Sequence, residues 1–246
     1  MRILFANCGY ATGLTGRYSE YLLLFWRYIR VTKKSLTPII DCVLHERPDV
    51  VAFVELNYNQ YTYLKKILHH HYPYSCEQDK YGKGIWRKFL PIQNVHLLFS
   101  RYPLEQSPGM LFEHGTKRAI LKATVDNKIN LILVHLSLRK HIRGKQITEL
   151  KEILTRHKST VCLGDFNTFG GSREIEGILE KDKLLSLNYK HKATYPSYHP
   201  RMELDYALVS HDINHRNFKV LPETFSDHRG FMFEITLEHD TTKTYA

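Results

Sequence analysis

Leu163-Gly164-Asp165-Phe166-Asn167-Thr168 follows a β-branched start, Thr160-Val161, and runs into turn chemistry at Gly170-Gly171-Ser172. An apolar strand ending in Asp-x-Asn carries both polar side chains on one face, because strand side chains repeat with period two. A carboxylate beside an amide at a strand exit suits chemistry: one takes a proton or a metal ion, the other orients a substrate.

The pattern recurs along the chain. Asn7 follows Ile3-Leu4-Phe5, Glu55 follows Val50-Val51-Ala52-Phe53-Val54, and His135 sits inside Leu131-Ile132-Leu133-Val134-His135-Leu136. Asp205 lies within Leu204-Asp205-Tyr206-Ala207-Leu208-Val209, and Ser226-Asp227-His228 precedes the last apolar run. Taken singly, each reads as a turn, cap or core residue. Together they would crowd charge at one end of a sheet, which is costly unless a metal or hydrogen bonds compensate.

Hydrophobic spacing supplies the rest of the organisation. Strands are predicted at Arg2–Ala6, Asp49–Glu55, Val95–Phe99, Arg118–Val125, Ile129–Leu136, Thr160–Gly164, Leu204–Val209, Phe218–Leu221 and Phe231–Leu237. Asp126-Asn127-Lys128 reads as a hairpin turn. Helices are predicted at Leu36–Glu46, stopped by Arg47-Pro48, at Asn59–His71 with Tyr61, Leu64, Ile67 and Leu68 inward, and at Gly144–His157. Hairpins with a few covering helices imply sheets packed face to face, helices outside, in one domain spanning 1–238, followed by a polar tail at 239–246.

The 246 residues are enough for a large core, with 43% hydrophobic and 24% charged residues, as in an ordinary globular protein. The formal net charge of +10 favours an anionic partner: nucleic acid, a phosphorylated small molecule or an acidic lipid surface. Cys8, Cys42, Cys76 and Cys162 are scattered, with no zinc-type spacing and no disulfide framework. That usage, with no signal-peptide pattern and no span long enough to cross a bilayer, leads us to expect a cytoplasmic setting.

In order and spacing, Asn7, Glu55, His135, Gly-Asp-Phe-Asn at 164–167, Leu204-Asp205-Tyr206 and Ser226-Asp227-His228 resemble the endonuclease/exonuclease/phosphatase superfamily, over residues 1 to about 237. That superfamily includes deoxyribonucleases, apurinic endonucleases, neutral sphingomyelinases and inositol-polyphosphate phosphatases. The resemblance implies an α/β fold, a four-layered sandwich of two mixed sheets flanked by helices. It implies Glu55 as principal ligand of Mg2+ or Mn2+, with Asn7 and Asp227 holding the metal, its waters or the phosphate. Asp165 would orient or deprotonate the attacking water, and Asn167 would fix the phosphate. His228, backed by Asp205, would act as base or charged contact, and His135 would donate to the phosphate. Arg118 is a candidate substrate contact. The base, Asp165 or His228, stays open at this point.

Departures from the family pattern narrow the branch. Val54-Glu55 replaces the usual Gln-Glu, and Asn57 stands where apurinic endonucleases carry Lys. Val-His-Leu around His135 resembles the deoxyribonuclease, sphingomyelinase and phosphatase branches, so abasic-site repair is disfavoured. The function implied is a Mg2+-dependent phosphodiesterase or nuclease. A sphingomyelinase-like phospholipid or inositol-phosphate phosphoesterase is the alternative, and a catalytically silent binding module is the rival of another class. No obligate protein partner is implied.

Residues 10–34 form an inserted segment mixing Tyr18, Tyr21, Leu22, Leu23, Phe25 and Trp26 with Arg17, Arg27, Arg30, Lys33 and Lys34. Starting three residues after Asn7, it should lie near the mouth of the site. Such a mixture suits bases stacked on rings, a peripheral membrane contact through 17–30, or simple packing onto the sandwich. His69-His70-His71 reads as a helix-end surface run. The basic loop Lys80–Lys88 is a candidate substrate rim.

Overall fold

Runs such as Val50-Val51-Ala52-Phe53-Val54, apolar without alternation, must be covered on both faces. The computed structural model, which describes residues 1–28, 33–81, 93–154, 159–179 and 184–237, meets that demand by stacking layers. One sheet contains β1 (Arg2–Asn7), β2 (Val50–Leu56), β3 (Tyr74–Gln78), β4 (Val95–Ser100), β12 (Ile213–Val220) and β13 (Phe231–Leu237), ordered β12-β13-β1-β2-β4-β3. The other contains β5 (Leu104–Gln106), β6 (Met110–Leu111), β7 (Ala119–Val125), β8 (Ile129–His135), β9 (Thr160–Asp165), β10 (Leu184–Ser186) and β11 (Asp205–Ser210), ordered β10-β11-β9-β8-β7-β5, with β6 also paired to β7. β1 runs parallel to β2 and β8 parallel to β9, whereas β13 with β1 and β11 with β9 are antiparallel, so both sheets are mixed.

Helices α1 (Tyr18–Leu23), α2 (Thr37–Glu46), α3 (Tyr58–Leu68) and α4 (Lys140–Leu154) complete the regular elements. Between the sheets, Ile3, Phe5, Ala52 and Val54 pack against Leu131, Leu133, Val161 and Leu163. On the outer face of the first sheet, Leu4, Val51 and Phe53 meet Ile39 and Val43 of α2 and Leu64 and Leu68 of α3. On the outer face of the second, Ile132, Val134 and Cys162 meet Ile147, Leu150 and Leu154 of α4. Helix, sheet, sheet and helix make the expected four-layered α/β sandwich.

Period two then carries the polar residues to one place. Asn7 continues the inter-sheet face of Ile3 and Phe5, His135 that of Leu131 and Leu133, Asp165 that of Val161 and Leu163, and Asp205 that of Ala207 and Val209. Glu55 is out of phase with Ala52 and Val54. A break in register between Phe53 and Leu56 against β4, with Glu55 at φ +56°, re-aims its side chain as a bulge does. Gly164 is the close-approach residue of the second sheet: a Cβ there would lie 2.2 Å from the Val134 carbonyl oxygen.

Some elements differ from the sequence reading. β3, β5, β6 and β10 are short or polar, and β12 is extended by Ile213–Asn217, which is mostly exposed on a sheet edge. α4 begins at Lys140, ahead of the predicted start, and Arg143 in its first turn, buried despite its charge, bonds to Glu174 and to the carbonyls of Ser137 and Leu138. Ile67, expected inward, is exposed, and His69–His71 lie exposed past the end of α3. Residues 82–88 of the basic loop, the part of the insertion at 29–32, the last residues of the predicted third helix and the tail at 239–246 lie outside the described residues.

Candidate active site

The strand ends converge on Asp165. Its Oδ1 accepts from the Asn167 backbone N–H at 2.9 Å, and its Oδ2 accepts from Asn7 Nδ2 at 3.0 Å. His135 Nε2 lies 3.3 Å and His228 Nε2 3.7 Å from the same Oδ2. Burial works against charge here, but His228, His135 and then Lys117 outweigh it and hold the Asp165 carboxyl well below the usual carboxylate range. Asp165 is therefore a fixed anion. Asn167 turns its amide to the Leu136 carbonyl, 2.9 Å away, so it braces β8 against β9.

His228 faces that anion with a second carboxylate behind it. Its Nδ1 lies 2.7 Å from Asp205 Oδ2, and Asp205 is fully buried. Burial alone would lower the imidazole, yet Asp205 and Asp165 push it up to about 10. Tyr195 packs against the His228 ring, centroids 4.9 Å apart. Asp165, Asp205 and His228 offer ligand atoms within 4.8 Å of one another, a buried group able to hold a metal ion.

Glu55 lies at the other side. Its Oε1 is 3.2 Å from Lys117 Nζ and 3.7 Å from His135 Nε2. Burial raises this carboxyl, but Lys117 and His135 prevail and hold it below its ordinary range. Lys117 Nζ also contacts His135 Nε2 closely. The other nitrogen of His135, Nδ1, lies 3.0 Å from Asn94 Oδ1, which also accepts from the Glu55 backbone N–H at 3.2 Å. One amide thus sets the His135 tautomer and the bulge that turns Glu55 inward.

The insertion reaches the site at Asp227. Tyr21 of α1 donates its hydroxyl to Asp227 Oδ2 at 2.6 Å, and its hydroxyl oxygen is 3.5 Å from that of Tyr195. Gly9, at φ +49°, leaves room for the same aspartate: a Cβ there would lie 3.0 Å from Asp227 Oδ1. Asn7 Oδ1 accepts from the Gly9 N–H at 3.0 Å.

Asn7, Glu55, His135, Asp165, Asn167, Asp205, Asp227 and His228 are thus linked through one network. Arg118 is not: its Nε donates to the Phe112 carbonyl, and Lys117 is the cation that faces the carboxylates. Sequence reading missed Lys117, Asn94, Tyr21 and Tyr195 as site residues. The signal for Lys117 was its place directly before a strand, shared with Arg118. Asn94 precedes β4 with nothing to distinguish it from a turn residue.

The geometry and the sequence comparison agree on the class. The chain belongs to the endonuclease/exonuclease/phosphatase family, whose profile matches residues 32–228. It is a metal-dependent phosphoesterase with a buried Asp165/Asp205/His228 cluster. No curated protein sequence matches it. Among solved structures it is similar to a functionally unknown conserved protein from Enterococcus faecalis, at 15% identity and TM-score 0.70, covering 97% of this chain and 100% of that one. D. rerio TDP2, complexed with a single-strand DNA product, is similar at 13% identity and TM-score 0.68, covering 96% and 98%. A Bacteroides thetaiotaomicron mannosyl-6-phosphatase is similar at 14% identity and TM-score 0.66, covering 96% and 100%. At these identities the likeness is one of fold.

Proposed function

We propose that the protein is a Mg2+-dependent phosphodiesterase that hydrolyses by in-line attack of water. The observation that carries this reading is the anion Asp165 facing His228, which Asp205 holds charged from behind. Asp165 orients the attacking water and takes its proton, fixed by Asn7 and the Asn167 backbone. The His228 imidazolium cannot be the base while it keeps its proton, so it meets the negative charge that develops on the phosphoryl oxygens. Asn94 Oδ1 accepts from Nδ1–H of His135, which leaves Nε2 to accept from Lys117 and hold that ammonium toward the phosphate. Lys117 adds positive charge at the same oxygens.

The residues fit a hard divalent cation. Glu55, Asn7 and Asp227 offer oxygen only, and burial together with Glu55 pushes the neighbouring Cys8 thiol far up, so it stays protonated. Glu55 would be the principal ligand, and Asn7 and Asp227 would hold the ion, its waters or the phosphate. When bound, the ion draws charge from a phosphoryl oxygen and eases departure of the leaving oxygen.

The charge of +10 supports a polyanionic substrate. A nucleic-acid strand meets that condition, as the DNA product on D. rerio TDP2 illustrates for a protein of this fold. Phosphodiesters at an anionic lipid surface meet it equally.

Hydrolysis of bis(p-nitrophenyl) phosphate tests the chemistry without presuming the substrate. Activity should need Mg2+ or Mn2+, vanish with chelator, and vanish in Asp165→Ala and His228→Ala. Full activity in either variant, with its melting temperature unchanged, would show that the hydrolysis has another source.

A further inference from the structure

Helix α1 buries none of its residues. Tyr18 is 90% exposed, Leu22 78% and Leu23 73%, and Trp26 beyond them is also exposed. Apolar side chains gathered this way on a protein surface mark an interaction site more often than an accident. Their place is specific: Tyr21, on the same helix, is tied to Asp227. Leu138 and Phe169, on the loops that follow His135 and Asn167, are exposed as well. The strand ends that bear the active site are thus rimmed by apolar tips.

The charges beside the tips of residues 18–26 include two arginines. Arg17 lies over the Tyr198 ring and Arg27 beside the Trp26 ring. The one acid of residues 10–28, Glu20, is turned back, accepting from the Thr15 backbone N–H at 2.6 Å and from its hydroxyl at 2.9 Å. An apolar face edged by arginines complements an anionic bilayer, with hydrocarbon for the tips and phosphates for the guanidinium groups. Nucleic acid fits less well: rings can stack on bases, but Leu22, Leu23 and Leu138 have no flat partner there. No helix among the described residues is long and apolar enough to cross a membrane, so the contact is made at the surface.

We propose that the mouth of the active site docks on an anionic lipid bilayer. Tyr18, Leu22, Leu23 and Trp26 enter the interface, and Arg17 and Arg27 meet lipid phosphates. Resting on the phosphodiesterase reading, this makes the substrate class a phosphodiester carried on lipid.

The test is sedimentation with vesicles of phosphatidylcholine, with and without phosphatidylserine. The protein should pellet with the anionic vesicles and far less with the neutral ones. Leu22→Ser/Leu23→Ser should lose affinity by about tenfold or more, with an unchanged melting temperature, because both side chains are already exposed. Ile67→Ser, at the far end of α3, should bind like the parent. Parent protein that ignores both vesicle types, or a double variant that binds as well as the parent, overturns the proposal. So does a single-stranded oligonucleotide that is bound in their place and lost with the same two leucines. Hydrolysis of the soluble diester by the unaltered protein, measured in parallel, reports on the catalytic reading alone, so failure of docking and failure of that reading are told apart.

Discussion

His228 Nδ1 and Asp205 Oδ2 lie 2.7 Å apart, and both side chains are buried. The pair decides what His228 can do, because a carboxylate behind an imidazole fixes its orientation and keeps it charged. Asp205→Asn removes the charge and keeps the shape. Hydrolysis of a soluble phosphodiester should fall by about a hundredfold or more. The pH profile should change with it. A histidine pushed up to about 10 keeps its proton through the alkaline range, and losing Asp205 lowers that limit. The alkaline limb of kcat should therefore move to lower pH in the variant; an unmoved limb would mean that His228 does not act as a charged group.

Lys117 stands 3.2 Å from Glu55 Oε1, so an ammonium already neutralises the carboxylate assigned to the metal. A divalent ion must compete with it. Lys117→Met should tighten Mn2+ binding severalfold, read from the electron paramagnetic resonance of free Mn2+. Weaker binding in the variant would place Lys117 on the side of the metal rather than against it.

Gly164 has the Val134 carbonyl where a Cβ would go, and no flexible side chain can yield there. Gly164→Ala should cost about 3 kcal/mol or more, at or above the upper end of ordinary overpacking. The urea midpoint should fall with the slope unchanged. A variant as stable as the parent would show that the two strands can part locally.

His96 is fully buried between the sheets, with Nδ1 3.2 Å from the Leu133 carbonyl oxygen. Burial, and then His135, push it down to about 3. The unfolded chain binds this proton near pH 6.5 and the folded one does not, so stability should drain as pH falls from about 6.5 to about 3, by up to about 5 kcal/mol. Comparing urea melts across that range, His96→Leu should show a shallower loss than the parent. Parallel slopes would assign acid lability to other groups.

The sandwich was legible because its central strands are apolar on both faces, a pattern that demands layers on either side. Asn7, His135, Asp165 and Asp205 were legible for the same reason: each interrupts an apolar strand in phase with the inter-sheet core. Glu55 was legible from its place at the end of an apolar strand and from the family motif, not from alternation, which would have pointed it the other way. Edge strands such as β12, with Asn214, His215, Arg216 and Asn217 exposed, carry little apolar signal. Lys117 and Asn94 were hidden because their importance lies in what they face across the fold, a property of no local window.

The bulge at Glu55 has an engineering consequence. Because one irregular residue sets that side chain's direction, the carboxylate is decoupled from the alternation of the strand that carries it. Val54 and Phe53 can be exchanged for other apolar residues of similar size while Glu55 keeps its aim. Removing Leu56, just past the bulge, would instead restore regular pairing with Glu55 in phase with Phe53, turning the carboxylate outward and disarming the metal side of the site.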